Sequence, residues 1–444
     1  MNAEHPPAPE APAATQPAAA TAAPSLGELL KASLFLGAVG FGGGLSVLGL
    51  IESLAVQRRR WLTPEQFAST ATIAQMLPGG AAANALAALG LRFGGVRGAA
   101  ACYLGFVLPG ATAVLVLAMA YQRFGALPDA AAFLGGLNAA VVGIVLAIAV
   151  RMSRTSVAQL WQMGVAAGAL LLSLLGGAGS GEVALLGIAS GLLWDLGLRR
   201  AKLLSPRRLF RPRPVPPAAL PEEGSPLSPP LPELPPASKP DKSERAKTHH
   251  HLPALLVAAL AGPLLFQTLA DLASLAVVCF RTGLGAYGGG FAAIPSLQAQ
   301  VTAHHWLTEA QFADAVAVGK LTPGPVLLAA TFVGYLRSGI PGAVVGTLAV
   351  FAAPFVLAVT LNSWLEQARS SRWMRAALLG LTPSVVGLMI AAALTLGAGV
   401  RSGIGAAIAA AVALTLIRFD RVNPVAMLAL GGAARVLYGL AGGD

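Results

Sequence analysis

Apolar residues in this chain form continuous blocks, without the alternation of a half-buried strand or the single stripe of a soluble helix. The blocks fall at residues 26–56, 67–91, 98–121, 132–150, 157–175 and 183–198. A second set follows at 252–267, 272–297, 312–336, 343–361, 374–396, 406–417 and 424–440. A membrane-crossing helix needs about 20 mostly apolar residues, so the pattern predicts an all-α polytopic membrane protein. An outer-membrane barrel is excluded, because its strands would alternate. Gly and Pro interrupt several blocks, and broken helices at membrane depth are tolerated where neighbours satisfy the freed backbone.

The two sets repeat each other. Trp61-Leu62-Thr63-Pro64-Glu65-Gln66-Phe67 returns 245 residues later as Trp306-Leu307-Thr308-Glu309-Ala310-Gln311-Phe312. Phe41-Gly42-Gly43-Gly44 is echoed by Tyr287-Gly288-Gly289-Gly290, Pro78-Gly79 by Pro323-Gly324, and Pro109 by Pro354. Matches in one order through most of each half indicate a duplication. Four parts are expected: a disordered tail at 1–24, a first repeat at 25–198, a linker at 199–252 and a second repeat at 253–444. The tail is Ala/Pro-rich and lacks the basic start of a signal peptide. Fourteen prolines between Arg199 and Pro253 leave the linker unable to bury a core.

Composition agrees. Of 444 residues 55% are hydrophobic and 11% charged, against roughly a quarter charged in soluble proteins, which excludes an ordinary soluble enzyme. The net charge of +11 is concentrated: 11 basic and 5 acidic residues between Arg199 and Lys247 supply +6 of it. Membrane orientation or lipid headgroups explain that better than nucleic acid. With the linker cytoplasmic, Arg151 and Arg154 fall inside. Arg369, Arg372, Arg375, Arg418 and Arg421 also fall inside if the block at 252–267 is an extra crossing. The two repeats are then inverted. Arg58, Arg59 and Arg60 fit only if the blocks on either side are re-entrant hairpins, and spanning or re-entry stays open at this stage.

The Gly-rich turn, the Trp-Leu-Thr segment about 20 residues on, the Pro-Gly break and the fused repeat resemble the chromate ion transporter family in its long, two-domain form. The resemblance covers nearly the whole chain outside the tail and linker. It implies an inner-membrane carrier that expels chromate, a tetrahedral dianion, coupled to another ion. The family's motif positions map onto Phe41, Gly42, Gly43, Gly44 and Leu77, Pro78, Gly79 in the first half. In the second they map onto Gly288, Gly289, Gly290 and Thr322, Pro323, Gly324, Pro325. The first half departs from the usual motif, with Gly44 and Gly80 where prolines stand.

A Pro-Gly-Pro break stops one helix and starts another at membrane depth, leaving free N–H groups and the positive end of the helix dipole as an anion site. The same glycines and prolines could serve only for kinks or close packing. Lys320, three residues before Pro323, stands where the first half has Gln75, and a cation there is costly unless it serves or snorkels. Ser46, Asn84 and Thr322 could hydrogen-bond oxyanion oxygens or bridge helices. Glu52, Glu65, Glu309 and Asp314 could relay protons, although Glu65 and Glu309 sit where first-turn acids favour a helix dipole.

Other signals are weaker. Gly283-x-Gly285-x-x-Gly288 lacks the strand and helix of a dinucleotide site, so no cofactor is expected. His249, His250, His251, His304 and His305 lack further ligands, so no metal is expected. Cys102 and Cys279 read as buried, inert thiols. The expected partners are a small oxyanion, a coupling ion and membrane lipid, without nucleic acid, and a homo-oligomer remains compatible. A secondary exporter is favoured, because no Walker-type nucleotide motif is present. Sulfate or another oxyanion, and a non-transporting sensor or scaffold, remain alternatives. A membrane-embedded reductase would need a thiol pair or cofactor site that the sequence lacks.

Overall fold

The computed structural model describes residues 23–41, 44–175, 178–202, 252–368, 371–419 and 422–442. Gly42, Gly43, Arg369, Arg421, most of the tail and most of the linker lie outside the described residues, as do His249, His250 and His251. Regular structure among the described residues is helical, and the chain is an all-α polytopic membrane protein.

The first series comprises α1 Leu26–Val39, α2 Gly44–Glu52 running into a π-turn Ser53–Arg58, α3 Pro64–Met76, α4 Ala81–Phe124, α5 Pro128–Ser156, α6 Leu160–Leu175 and α7 Ser180–Lys202. The second comprises α8 Leu252–Leu284, a 3-10 turn Gly288–Ala293, α9 Ile294–Ala303, α10 Glu309–Leu321, a 3-10 turn Val326–Leu328, α11 Ala329–Ala368, α12 Arg372–Gly397, α13 Gly403–Arg418 and α14 Pro424–Leu440. Residues up to Asp195 and from Thr268 onward form one compact unit, and Leu196–Gln267 a separate one.

The blocks expected at 252–267 and 272–297 are divided differently. No glycine or proline separates Gln267 from Leu272, and α8 runs through the junction. The interruption comes instead after Leu284, where Gly288, Gly289 and Gly290 all take positive φ. The block at 252–267 is therefore not a separate helix.

The backbone repeats as the sequence does. Thr63 and Thr308 each cap the next helix in a reciprocal box with Gln66 and Gln311, which satisfies two orphan N–H groups per helix. Left-handed φ recurs at matching sites: Arg60 at 52° and His305 at 54°, Gly79 at 97° and Gly324 at 109°, Gly95 at 58° and Gly339 at 62°.

α4 and α11 are each two helices. At Gly94 and Gly95 the φ/ψ angles leave the helical region, and at Ser338 and Gly339 they do so almost identically. The chain folds back there so tightly that a Cβ on Gly90 would collide with the Gly98 carbonyl, and one on Gly334 with the Gly342 carbonyl. In a straight helix, residues eight apart would be about 12 Å apart along the axis. Beside the first fold-back lies the start of α1: a Cβ on Gly94 would stand 3.9 Å from both Leu26 and Leu29. Arg59 acts electrostatically on Glu28 in the first turn of α1. The start of α1, the Arg58 to Arg60 loop and the fold-back at Gly94 are therefore neighbours.

The two series interlock. α5 packs along α13, with Gly143 against Ala409 and Val412, and against α14, with Gly136 on Gly431. Reciprocally, α12 packs along α6, with Gly387 against Ala166, while Gly187 and Gly191 of α7 abut Gly380 and Ala376. Small residues let these backbones approach closely where no hydrophobic effect drives helix association. The counterparts α4 and α11 pass in opposite directions, with Tyr103 against Phe351 and Phe355, and Tyr121 against Phe332.

Four helical stretches, Ala81–Phe124, Pro128–Ser156, Val326–Ala368 and Arg372–Gly397, are long and apolar enough to cross a membrane. Their outward faces carry large apolar residues such as Leu104, Leu108 and Val116 on α4 and Val344, Leu348 and Val356 on α11. Such exposure is unfavourable in water and natural in lipid.

Candidate functional site

Two chain breaks meet inside the helical unit. In the first, α3 ends at Met76, Leu77 is extended, and α4 restarts at Ala81 after Gly80. In the second, α10 ends at Leu321, Thr322 is extended, and helix resumes at Val326 after Pro325. A Cβ on Gly80 would stand 3.4 Å from Pro325, so the two restarting helices begin side by side.

Each break is held by the other repeat. Gly79 N donates to the Ala286 carbonyl at 2.8 Å, and Gly324 N to the Gly40 carbonyl at 3.2 Å. A Cβ on Gly79 would lie 2.6 Å from Pro354 of α11, while one on Gly110 of α4 would strike the Pro323 carbonyl. Thus each proline of the Pro109 and Pro354 pair lies at or beside the contact with the opposite break. Gly79 needs to be glycine twice over, for its positive φ and for this approach, and Gly324 for its positive φ. The Gly-rich turns complete the cluster: Gly44 abuts Ala81, and Gly290 abuts Leu327.

Asn84, buried in the first turn of α4, ties the first break together. Its amide Nδ2 donates to the carbonyls of Pro78 at 2.9 Å, Ala74 at 3.2 Å and Leu77 at 3.4 Å. Its Oδ1 is buried without a hydrogen-bond partner, an acceptor whose desolvation is uncompensated.

Lys320 is 6% exposed in the last turn of α10. Its ammonium lies 5.4 Å from the ring centroid of Phe291, the residue after the Gly288, Gly289, Gly290 turn. No carboxylate pairs with it among the described residues. A buried cation without an anion is expensive, and the ring face offsets only part of that cost. A void lined by Thr282, Gly290, Phe312, Val326 and Leu327 among others, with Lys320 outside its lining, measures about 10 Å³, about one water's worth.

Other expected residues are placed differently. Thr322 is buried, but its hydroxyl is occupied by the Val318 and Gly319 carbonyls. Gln75 is exposed, with its amide turned back to the Ala71 carbonyl, so the repeats are unlike at this pair of positions. Ser46 is exposed on α2 and is not drawn to the breaks. Gly283 packs on the Val350 carbonyl of α11, a close-approach role unrelated to any nucleotide. Cys102 and Cys279 are buried thiols.

Sequence reasoning missed Phe291 as the partner of Lys320, and it missed the surroundings of Asp314. Tyr121 Oη donates to Asp314 Oδ2 at 2.9 Å and Asn138 Nδ2 to Oδ1 at 2.7 Å. Both donors come from the first series and the carboxylate from the second. Asp314 itself was legible as an acid within an apolar block, whereas its partners are 193 and 176 residues away.

Comparison with known proteins gives the chain's relatives. The sequence profile described as chromate transporter matches residues 27–194 and 273–436, one region per repeat. A chromate transport protein of Cupriavidus metallidurans is 30% identical over 423 residues, spanning 93% of this chain and 92% of that protein. A probable chromate transport protein of Synechococcus elongatus is 29% identical, spanning 84% and 85%. An uncharacterized transporter of Methanocaldococcus jannaschii is 23% identical, spanning 83% of each. No solved structure matches the chain. With both repeats matched and a relative similar almost from end to end, the chain belongs to the chromate transporter family.

Proposed function

We propose that this protein is a secondary active transporter that exports chromate or a similar tetrahedral oxyanion across the inner membrane. The substrate is held where the two broken helices restart, facing Lys320. The observation that carries this reading is the convergence of the restarts at Gly80 and Pro325 beside a buried lysine that no carboxylate among the described residues neutralises. Helix N-termini present N–H donors and positive dipole ends, and Lys320 supplies a full charge. The buried Asn84 sets the first restart in place. Carriers commonly bind substrate at paired broken helices near the midplane, and the relatives named for chromate transport agree with that substrate class.

The repeats are inverted in this proposal, supported by the opposed run of α4 and α11. The blocks at 26–56 and 67–91 enter and leave on one side, supported by the nearness of Glu28 to Arg59 and of Leu26 to Gly94. That puts Arg58, Arg59, Arg60, Arg92, Arg97, Arg151 and Arg154 on the cytoplasmic side with the linker, as the positive-inside rule favours. Lys320 is only 6% exposed, with its ammonium against Phe291 beside the Gly288 turn, which leaves an oxyanion no way to reach it in this arrangement. Binding therefore requires the breaks and the Gly288 turn to part, toward one side and then the other.

Inverted membrane vesicles containing the protein should accumulate labelled chromate when ion gradients are imposed one at a time. Sulfate tested in parallel reports how selective the site is for one tetrahedral dianion. Vesicles that hold the correctly inserted protein yet accumulate no oxyanion under any gradient would favour a sensor or scaffold role instead.

A further inference from the structure

We propose that Asp314 is the site that binds the coupling ion, and that this ion is a proton. This rests on the oxyanion-transport reading above and deepens it. Asp314 sits in the middle of α10, the helix that ends at Lys320 and the second break. Its carboxylate is half-buried and held by two neutral donors, Tyr121 of α4 and Asn138 of α5. The elements packed against α10 are α4, α5, α9, α11, α14 and the 3-10 turn Val326–Leu328. None of their cations pairs with Asp314. Arg337 of α11 pairs with Asp271, Arg151 of α5 donates to the Leu416 carbonyl, Arg435 of α14 lies over Tyr438, and Arg123 of α4 lies over Phe124. Arg92 and Arg97 of α4 flank its fold-back, and Arg154 of α5, like the acids Asp129 and Glu366, stands near a helix end. The tyrosines Tyr103 and Tyr335 make no hydrogen bond to it, and α9 and the 3-10 turn carry no titratable side chain. On α10 itself the other ionisable groups are Glu309 in the first turn and Lys320 in the last.

A carboxylate balanced by neutral donors from the opposite repeat can change charge without breaking an ion pair. When the repeats move apart, Asp314 loses Tyr121 and Asn138 together. The ionised carboxylate then takes one proton from water, its O–H bond replacing the two accepted hydrogen bonds. On return the proton is released and both donors re-engage. A metal cation would need several oxygen ligands, whereas here an amide N–H faces the carboxylate. The first repeat has Ser69 at the matching position, so the carboxylate and the lysine occur together only on α10.

Asp314 and Lys320 are six residues apart, roughly 9 Å along the helix. Protonation of Asp314 removes a negative charge near an oxyanion held at Lys320, so proton and oxyanion binding promote each other, and linkage makes the effect reciprocal. A dianion accompanied by one proton carries a net charge of −1. The inside-negative membrane potential drives that charge outward, as export requires.

The test uses the purified full chain and two probes, labelled chromate and labelled sulfate. Chromate itself protonates in weak acid and sulfate does not, so sulfate isolates the protein's own titration. In the wild type, sulfate affinity should rise as pH falls, by about 10-fold across the transition, with proton uptake on binding. Asp314→Asn, an uncharged isostere, should bind at every pH as tightly as the wild type at low pH and take up no proton. Tyr121→Phe should keep the dependence with its midpoint displaced to higher pH, because a donor to the ionised form is lost. Unchanged pH dependence in Asp314→Asn, or a dependence on sodium in place of protons, would overturn the proposal. An infrared titration of the substrate-free protein separates the two readings. A carboxylic C=O band that titrates and disappears in Asp314→Asn supports the proton site even if neither oxyanion binds, and a titration without any Asp314-dependent band refutes it.

Discussion

Replacement of Lys320 by Gln tests the oxyanion site most directly, because it removes a charge and keeps most of the volume. Lys320 is 6% exposed, and no carboxylate pairs with it among the described residues. Its ammonium has the Phe291 ring at 5.4 Å, a contact of about 0.5–2 kcal/mol. A unit cation about 4 Å from a unit anion gains near 4 kcal/mol at an effective dielectric of 20, and a dianion up to about twice that. Desolvation of both groups offsets much of the gain. A net of about 1.5–3 kcal/mol, the usual range for a charge-assisted hydrogen bond, corresponds to roughly 10- to 100-fold in affinity. Lys320→Gln should therefore raise the half-saturating oxyanion concentration by about that factor in vesicles at matched protein levels. Lys320→Arg should retain part of the affinity. Thermal unfolding in detergent separates this role from a structural one: relief of an unpaired buried charge should leave the midpoint unchanged or higher. Unchanged affinity in Lys320→Gln would remove the lysine from the site, and a strongly lowered midpoint would make it a structural residue.

Other outcomes follow from the same contacts. Gln75→Ala should change oxyanion affinity by less than about 3-fold, since the side chain is exposed and bonded to its own helix, and a larger loss in vesicle transport would restore it to the site. Asn84→Leu leaves three carbonyls of the first break without their donor and should cost about 1–3 kcal/mol of stability, read as a lower detergent unfolding midpoint. Gly98→Val should abolish accumulation of folded protein, because its Cβ would collide with the Gly90 carbonyl where α4 folds back; Gly27→Ala, with open space around it, is the matched control. Removing a few residues between positions 202 and 247 should leave oxyanion transport intact, since that composition buries no core; complete loss with normal insertion would contradict this.

Membrane residence, the helical class and the duplication were written in the sequence. Hydropathy is a local property, and the Trp-Leu-Thr segments and Pro-Gly breaks recur 245 residues apart, and the Gly-rich turns 246 apart, which needs no coordinates to see. The breaks could be placed because a proline removes a donor and a glycine admits positive φ whatever surrounds them. Tertiary structure decided how these pieces meet. Gly95 and Gly339 lie in the gaps between the blocks at 67–91 and 98–121 and at 312–336 and 343–361, but that the chain folds back there, with Gly90 against Gly98 and Gly334 against Gly342, is a matter of tertiary contact. Lys320 and Gln75 hold equivalent positions, yet one is buried against Phe291 and the other exposed, because burial depends on what the opposite repeat brings alongside. Thr322 looked available until its hydroxyl closed on its own helix. Asp314 acquired its meaning only from Tyr121 and Asn138. Contacts between residues nearly 200 positions apart arise from the interlocking of two whole repeats, and no local pattern in a single chain encodes which side chains that interlocking will juxtapose.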